Sequence, residues 1–229
     1  VMDLQGQRNR GGRSAEAAAT PRSLTAEQAA HVVKRSPGDY PVGTYRMQHH
    51  FRGRSVHLDM RMKLAADHLE GWTIVDEPAG AVTRAPDEGV IPEGERPETL
   101  TAGQVRDLEA NAYAIQDRVR WKLAPDMDPA VNVVAIPKAA QPLQWLNVFN
   151  TAFAPGHVGA SAEEEGVFTL VDEGTVYPGV QKSDFREYFL DGRVFRGRMG
   201  FRLLSTRGFA RDGGGDKPRQ ALQWQTGVN

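Results

Sequence analysis

Residues 49–62 of the chain read HHFRGRSVHLDMRM and concentrate side chains that can bind metal ions or phosphate. This stretch holds three of the six histidines of the chain, together with Asp59 and three arginines. Imidazole and carboxylate ligands together suit Mn, Fe, Co or Zn, and three protein ligands leave positions open for water or a substrate oxygen. His50, His57 and Asp59 are therefore a candidate site for a divalent transition metal.

The spacing of these residues predicts two neighbouring β-strands, because residues two apart on a strand share a face. Between residues 55 and 64, apolar side chains alternate with His57, Asp59 and Arg61, so these three project together. The turn signal FRGR predicts a hairpin of strands 44–51 and 55–64, which places His50 beside His57. Arg61 then shares the face of Asp59, where a guanidinium can orient the carboxylate or bind a phosphate oxygen.

The same alternation also fits an exposed polar strand face. His57, Asp59 and Arg61 would then form surface ion pairs, each worth about 0–1 kcal/mol. The pattern H-x-D is common by chance, so spacing alone leaves both interpretations open. His49 alternates to the face opposite His50, and we assign it a structural role.

Composition limits the kinds of site and partner that this chain can have. It has 229 residues and no cysteine, which excludes disulfides and thiolate metal sites. The formal net charge is −1, so nucleic-acid binding would require a local basic patch. With no apolar run near the roughly 20 residues of a membrane span and no secretory signal, we expect a soluble cytoplasmic protein without a membrane partner. Association with a phage or virion is compatible with the same composition.

The rest of the chain predicts a mostly β fold. Many short strands, Gly-rich turns and few helices are typical of a compact antiparallel β-barrel with a few peripheral helices. Helices are predicted at about 26–35 and 102–117, the second after a capping box at Thr101 and Gln104. Residues 166–179 predict a strand, a turn and a second strand. Residues 186–206 predict a hairpin that turns at Asp191-Gly192. The segment ALQWQT (221–226) predicts a closing strand.

The domain organisation follows from composition. Residues 1–23 are poor in large apolar side chains and predict a flexible, mildly basic N-terminal arm. Residues 24–229 are interpreted as a single domain, and the weakly patterned stretch at about 79–125 is interpreted as an insertion that contains the 102–117 helix.

A set of motifs, in order along residues 44–205, resembles the 3′-phosphoesterase domain of bacterial DNA ligase D. Gln48-His49-His50 followed by Val56-His57-Leu58-Asp59-Met60-Arg61 resembles the family pattern F-x-x-Q-K-H and L-H-Y-D-x-R-L-E. Gly71-Trp72 resembles the start of S-W-x-x-P-K-G-P. APGHVGAS (154–161), GVFTLVDEGTV (166–176) and FLDGRVFRGRMGFRLL (189–204) resemble three later motifs. The chain looks like a stand-alone, divergent member.

The resemblance implies a small β-barrel enzyme that uses a divalent metal, most often manganese, with zinc or cobalt as other options. Such enzymes remove a 3′-phosphate or a 3′-terminal ribonucleotide from DNA or RNA-DNA primers in DNA repair. The implied partners are nucleic acid 3′ ends and a ligase or polymerase acting in trans. By position, His50, His57 and Asp59 would bind the metal, and Arg61 would contact phosphate.

The chain also departs from the family pattern. The P-K-G-P lysine does not follow Trp72 directly, and Lys122 and Lys138 are candidates to replace it. The family's H-P-L-x-Y corresponds to residues 141–145, QPLQW, so Gln141 stands where a phosphate-binding histidine is expected. Glutamine can donate a hydrogen bond to an oxygen but cannot carry charge or transfer a proton.

These departures complete the list of candidate site residues. His157, in the Gly-rich loop, is a candidate for the missing imidazole, so the expected catalytic set is Arg61, Gln141 and His157. Arg198 and Arg202 from the late hairpin join Arg61 as candidate phosphate-binding residues, although both also fit a plain surface role.

Two other functions remain open from the sequence. A catalytically inactive relative would serve as a structural module or as a nucleic-acid or protein interaction module, for example in a viral assembly. A dioxygenase-like His/His/Asp site is disfavoured, because such sites usually place H-x-D before a distant histidine, whereas here His50 precedes it.

Overall fold

The computed structural model of the protein describes residues 40–53, 55–75, 89–110, 133–204 and 224–228. Within these ranges the chain is mostly β-strand, with one α-helix and one short 3-10 helix. The predicted mostly β, antiparallel class is confirmed. The strands are β1 (Thr44–Arg52), β2 (Ser55–Lys63), β3 (Glu70–Val75), β4 (Glu98–Thr99), β5 (Val133–Pro137), β6 (Thr151–Phe153), β7 (Gly166–Gln181), β8 (Phe185–Gly192), β9 (Arg196–Leu203) and β10 (Trp224–Val228).

These strands form one sheet with the order β1-β2-β3-β5-β10-β9-β8-β7-β6-β4. β1 pairs with β7 as well as with β2, so the succession of pairings from β1 to β10 and on to β7 returns to its start. The predicted closing strand is confirmed as β10, which joins β5 to β9. One face of the sheet carries the main hydrophobic core, which includes Tyr45, Met47, Leu58, Met60, Trp72, Ile74, Tyr188, Met199 and Phe201.

The predicted β1–β2 hairpin is confirmed. Its register places His50 opposite His57 and Gln48 opposite Asp59. Gly53, in the turn, has a φ of 55°, a left-handed conformation that glycine adopts without steric cost. The period-2 alternation therefore does place one apolar and one polar set of side chains on opposite faces.

Two turn predictions are wrong in detail. β7 runs unbroken for 16 residues where strand, turn and strand were predicted. The turn-like sequence DEG stays in the strand because Asp172, Glu173 and Gly174 pair with β1, just after a bulge that the register shift opposite Met47 and Gln48 marks. The β8–β9 turn lies at residues 193–195, beyond the predicted Asp191-Gly192, because Asp172 accepts backbone N–H bonds from Arg193, Val194 and Phe195.

The segment between β3 and β5 contributes a helix over residues 102–110. Its predicted capping box is confirmed, since Thr101 N donates to Gln104 Oε1 at 2.8 Å and Gln104 N donates to Thr101 Oγ1 at 3.3 Å. The rest of the predicted 102–117 helix, the 26–35 helix, the arm 1–23 and Lys122 lie outside the described residues. No helix of the described ranges is long and apolar enough to cross a membrane.

Candidate metal centre

The polar face of the β1–β2 hairpin is as buried as its apolar face. His50 and Asp59 are 0% exposed, and His57 is 7% exposed. The 3-10 helix Leu143–Asn147 and the Phe168 ring of β7 cover this face, and Phe168 stacks on the His50 imidazole with ring centroids 4.0 Å apart. The exposed polar strand that the spacing also allowed is therefore wrong, because the face is enclosed by a second layer of side chains.

His50, His57 and Asp59 converge as predicted. His50 Nδ1 lies 3.1 Å from His57 Nε2 and 3.7 Å from Asp59 Oδ2, while His57 Nε2 lies 3.5 Å from Asp59 Oδ1. Ligand atoms about 2.1 Å from one ion, at angles of about 90–109°, lie about 3.0–3.4 Å apart. The distance between the two nitrogens falls in this range, and the two distances to the carboxylate, which end on different oxygens, lie slightly above it. A small movement of the carboxylate would therefore let the three groups hold a single divalent cation.

The backbone of the Gly-rich loop orients the His50 ring. His50 Nε2 lies 2.7 Å from the carbonyl oxygen of Gly159. A carbonyl oxygen only accepts, so Nε2 must carry the proton and the neutral ring keeps a lone pair on Nδ1. Such a hydrogen bond on the remote nitrogen is the usual way in which proteins fix the tautomer of a metal-binding histidine.

Three further groups hold the Asp59 carboxylate. Thr73 Oγ1 donates to Oδ1 at 3.0 Å, and Lys138 Nζ lies 3.0 Å from the same oxygen. Arg61 Nη2 donates to Oδ2 at 3.1 Å. Asp59 therefore has fixed geometry and strong positive neighbours on both oxygens.

These neighbours also decide the protonation of Asp59. Burial alone would raise the pKa of its carboxyl. The nearby charges, Lys138 first and then His57 and Arg61, outweigh burial and hold the pKa well below its usual range. The carboxyl group is thus ionised at neutral pH.

Arg61 is positioned as tightly as the carboxylate that it contacts. Its Nε donates to Gln48 Oε1 at 2.7 Å, and the Gln48 amide in turn donates to the carbonyl of Val148. The guanidinium lies 4.7 Å from the Trp145 ring centroid. Arg61 is 0% exposed, so its predicted place beside Asp59 is confirmed.

Two of the remaining candidates lie near this centre. Lys138, one of the two lysines named as candidates, contacts Asp59, and its side chain is only 1% exposed. Gln141 is buried beside Gly71, and its backbone pairs with Leu69. A Cβ on Gly71 would lie within 3.4 Å of both Gln141 and Lys138, so these two side chains lie close together.

The structure does not bring the other candidates to the centre. The His157 side chain is 50% exposed, and its Nδ1 contacts the Glu95 carboxylate at 2.9 Å. The loop of His157 does reach the centre, but through the Gly159 carbonyl. Arg198 and Arg202 lie on β9, where Arg198 Nε donates to Glu187 and the Arg202 guanidinium lies 5.9 Å from the Phe185 ring centroid.

His49 has the structural role predicted for it, on the opposite face of β1. Its Nδ1 lies 2.9 Å from Glu109 Oε1, which also accepts a hydrogen bond from Thr169 at 2.6 Å. Glu109 belongs to helix 102–110, so this buried contact fastens the helix to β1 and β7.

Sequence reasoning missed two contributors to the centre. Thr73 could have been found from the sequence, because it lies directly opposite Asp59 once β2 and β3 are paired. The Gly159 carbonyl had none, since a backbone oxygen leaves no mark in residue type. No protein-family model matches the chain, and no curated protein is significantly similar to it.

Proposed function

We propose that the protein is a divalent-metal-dependent phosphoesterase that acts on 3′ ends of DNA or RNA-DNA primers. The observation that carries the proposal is the convergence of His50, His57 and Asp59 in one buried centre that also contains Lys138 and Arg61. Manganese suits a site of two imidazoles and one carboxylate, and zinc or cobalt suit it as well.

The charges of the centre favour an anionic substrate. Among the described residues of the centre, Asp59 is the one carboxylate, and Arg61 and Lys138 both contact it. A bound divalent cation would leave a large positive excess in a buried place, which an anionic ligand has to offset. A phosphate ester supplies that charge on oxygens that guanidinium and ammonium groups bind well.

Each residue of the centre has its own role in this proposal. A divalent ion held by His50, His57 and Asp59 would supply Lewis acidity toward a phosphoryl oxygen and lower the pKa of water. Arg61 keeps the carboxylate in place. Lys138 moves from Asp59 to a phosphate oxygen as the ester binds, and offsets the charge that develops there.

The side chains and the loop that cover the centre determine where a substrate can enter. Trp145, Phe168 and the Gly159 loop enclose His50 and Arg61, whereas the His57 side chain keeps 9% of its surface exposed. The most accessible edge of the centre is therefore the His57 end of the β1–β2 hairpin. A terminal phosphate or nucleotide fits such an edge better than an internal phosphodiester, because a chain end needs less room.

The assay uses a primer–template duplex that ends in a 3′-phosphate or a single 3′-ribonucleotide, with Mn²⁺ or with EDTA. We expect release of phosphate or of the nucleotide only with Mn²⁺, and loss of activity in His57→Ala and Asp59→Ala. His68→Ala and Asp67→Ala are matched controls, because these two residues form an exposed His–Asp pair at 2.8 Å. Activity that survives Asp59→Ala would contradict the proposal.

The second candidate function is a non-catalytic relative that keeps the fold as a structural or interaction module. It is favoured by the contacts of Asp59, whose two oxygens are already satisfied by Thr73, Lys138 and Arg61. The glutamine at position 141, where the family has a histidine, also favours a non-catalytic function. A stable protein that binds no Mn²⁺ and releases no phosphate from either substrate would favour this alternative.

A further inference from the structure

Two exposed aromatic side chains lie next to each other on the sheet, far along β7 from the metal centre. Tyr177 is 62% exposed and Phe189 is 43% exposed. They are directly opposite each other across β7 and β8. Among the described residues, no other aromatic side chain is largely exposed. Adjacent exposed rings form an apolar patch of the kind that interaction sites use, so the residues around them are informative.

Arginines share the face of these rings. Arg198 is opposite Phe189, Arg202 is opposite Phe185, and alternate residues on a strand point the same way. The Phe185 ring lies between the two guanidiniums, 5.8 Å from that of Arg198 and 5.9 Å from that of Arg202. The ring lies over Gly200, where an added Cβ would meet it at 3.4 Å, an ordinary van der Waals distance. We call Tyr177, Phe185, Phe189, Arg196, Arg198 and Arg202 the aromatic–arginine face.

The charge of this region differs in sign from that of the whole chain. Residues 174–204 contain six basic and three acidic residues, whereas the formal net charge of the chain is −1. Two acids share this face: Arg198 pairs with Glu187, whose side chain is only 10% exposed, and Arg196 lies 3.7 Å from Asp191, with both of the latter side chains more than two-thirds exposed. The exposed Arg196–Asp191 pair is weak and can exchange for another anion.

We propose that the aromatic–arginine face binds single-stranded nucleic acid. Bases stack on exposed rings regardless of sequence, and arginines beside the rings bind the backbone phosphates and add cation–π contacts. A sheet that carries aromatic rings on its outer face is a known way to hold unpaired bases. The three arginines of the face outnumber its two carboxylates, Glu187 and Asp191, and this positive excess complements a polyanion. An acidic or apolar protein partner would leave either the rings or the arginines without a counterpart.

The face goes beyond the proposed phosphoesterase centre and uses different residues. Both lie on the side of the sheet opposite the main core. β7 links them, since Phe168 stacks on His50 and Tyr177 follows nine residues later on the same strand, a distance of about 30 Å. A single strand held at Tyr177 and Phe189 is therefore a second anchor for a substrate, and its binding needs no metal.

The test measures fluorescence anisotropy of a 5′-labelled oligothymidylate of about 20 nucleotides with the full chain in EDTA. We expect salt-dependent binding by the wild type and a loss of about tenfold or more in Tyr177→Ala/Phe189→Ala. Arg202→Ala should weaken binding and reduce the slope of log K against log salt by about 0.7, the value for one phosphate of a single strand. Tyr177→Phe keeps the ring and should bind like the wild type.

Val42→Ala and Arg96→Ala are the matched controls, because both residues are exposed and lie outside β7, β8 and β9. Circular dichroism and thermal unfolding check that every variant is folded. Equal affinity of the wild type and the double variant would overturn the proposal, as would failure of the wild type to bind. Self-association that disappears in the double variant, without oligonucleotide binding, would assign the face to a second copy of the chain instead. Because binding is measured in EDTA, a protein without metal-dependent activity can still bind the oligonucleotide, so the two proposals can fail separately.

Discussion

Asp59 and Asp172 are both 0% exposed carboxylates on strands that contact β1, yet their partners differ in kind. Asp172 accepts hydrogen bonds from the backbone N–H groups of Arg193, Val194 and Phe195 at 2.9–3.1 Å, and from Tyr45 Oη at 2.6 Å. Three of its four partners are thus peptide groups of one turn. Its task is to hold the β8–β9 turn against β1 and β7.

Asp59 is surrounded by side chains instead. Thr73, Lys138 and Arg61 contact its oxygens, and the two imidazole nitrogens lie 3.5 and 3.7 Å away. A lysine can move away and a metal can take its place, whereas a peptide N–H has no such freedom. Side-chain partners that can exchange are what the proposed metal site requires of Asp59, whereas the backbone donors around Asp172 fit a structural role.

The largest expected effect concerns the structural carboxylate. Asp172→Ala leaves the three N–H groups and the Tyr45 hydroxyl without their acceptor, so we expect a loss of about 3–5 kcal/mol in the free energy of unfolding. Urea unfolding followed by tryptophan fluorescence measures it. Asp191→Ala, a carboxylate with 74% exposed side chain on the same hairpin, should change stability by less than about 0.5 kcal/mol. Equal losses of unfolding free energy in the two variants would contradict the structural role that we assign to the buried Asp172.

The next effect concerns the proposed metal centre around Asp59. His57→Ala removes one of its three proposed ligands, so the affinity for Mn²⁺ should fall by about 100-fold or more, which is about 2.7 kcal/mol. Isothermal titration calorimetry measures the affinity. His49→Ala is the informative comparison, because His49 is also buried on β1 but faces Glu109. It should lower stability and leave the Mn²⁺ affinity of the folded protein within about threefold, and a metal loss as large as that of His57→Ala would refute the assignment of faces.

The pair of Tyr45 and Asp172 predicts a dependence of stability on alkaline pH. Burial, with the Asp172 charge next, raises the pKa of Tyr45 far above its ordinary value of 10.0. Below about pH 10 the phenol is protonated in both states and its contribution is fully present. Above that value only the unfolded state loses the proton, so stability falls as pH rises, by up to about 1.4 kcal/mol per pH unit.

Tyr45→Phe separates this contribution from that of other groups. The variant should lose about 1.5–2 kcal/mol at pH 7, because a hydrogen bond to a charged acceptor disappears. It should then lose less than the wild type between pH 10 and 11. Urea unfolding at pH 7, 9, 10 and 11 measures both the loss of stability at pH 7 and the smaller loss above pH 10. An equal decrease of the free energy of unfolding in the two proteins above pH 10 would contradict the buried phenol–carboxylate pair.

The smallest effect tests whether the partners of Asp59 are exchangeable. Lys138 Nζ contacts the same carboxylate oxygen that lies 3.5 Å from His57 Nε2, so the ammonium competes with a cation for that oxygen. Lys138→Met should therefore bind Mn²⁺ about tenfold more tightly, about 1.4 kcal/mol, while phosphoesterase activity falls. Calorimetry and the 3′-phosphate assay measure the two quantities separately. Weaker Mn²⁺ binding in Lys138→Met would mean that the lysine supports the carboxylate rather than competing for it.

The convergence of His50, His57 and Asp59 could be predicted from sequence because local rules determine their positions. Period-2 alternation aligns His57 with Asp59, and a short turn at Gly53 brings His50 opposite His57. Lys138 could only be named as one of two candidates, because its approach to Asp59 depends on the pairing of β3 with β5, across a long intervening segment. Long-range pairing of this kind leaves no periodic signal.

The remaining misses have the same physical origin. The β8–β9 turn was misplaced because Asp172, about twenty residues earlier, supplies the acceptor that defines it. His157 was expected at the centre because its loop is Gly-rich and carries an imidazole. The loop does reach His50, but with the Gly159 carbonyl, while the His157 ring faces Glu95. Backbone contacts and surface orientation are decided by tertiary packing, which residue type does not reveal.

The most direct test of the metal centre is a crystal of the protein grown with Mn²⁺ and measured at the manganese absorption edge. We expect an anomalous peak about 2.1–2.2 Å from His50 Nδ1, His57 Nε2 and an Asp59 oxygen, with Lys138 Nζ displaced from the carboxylate. Density with no peak between the two imidazole nitrogens and the Asp59 carboxylate, with Lys138 Nζ still against that carboxylate and manganese only at exposed carboxylates, would contradict the account.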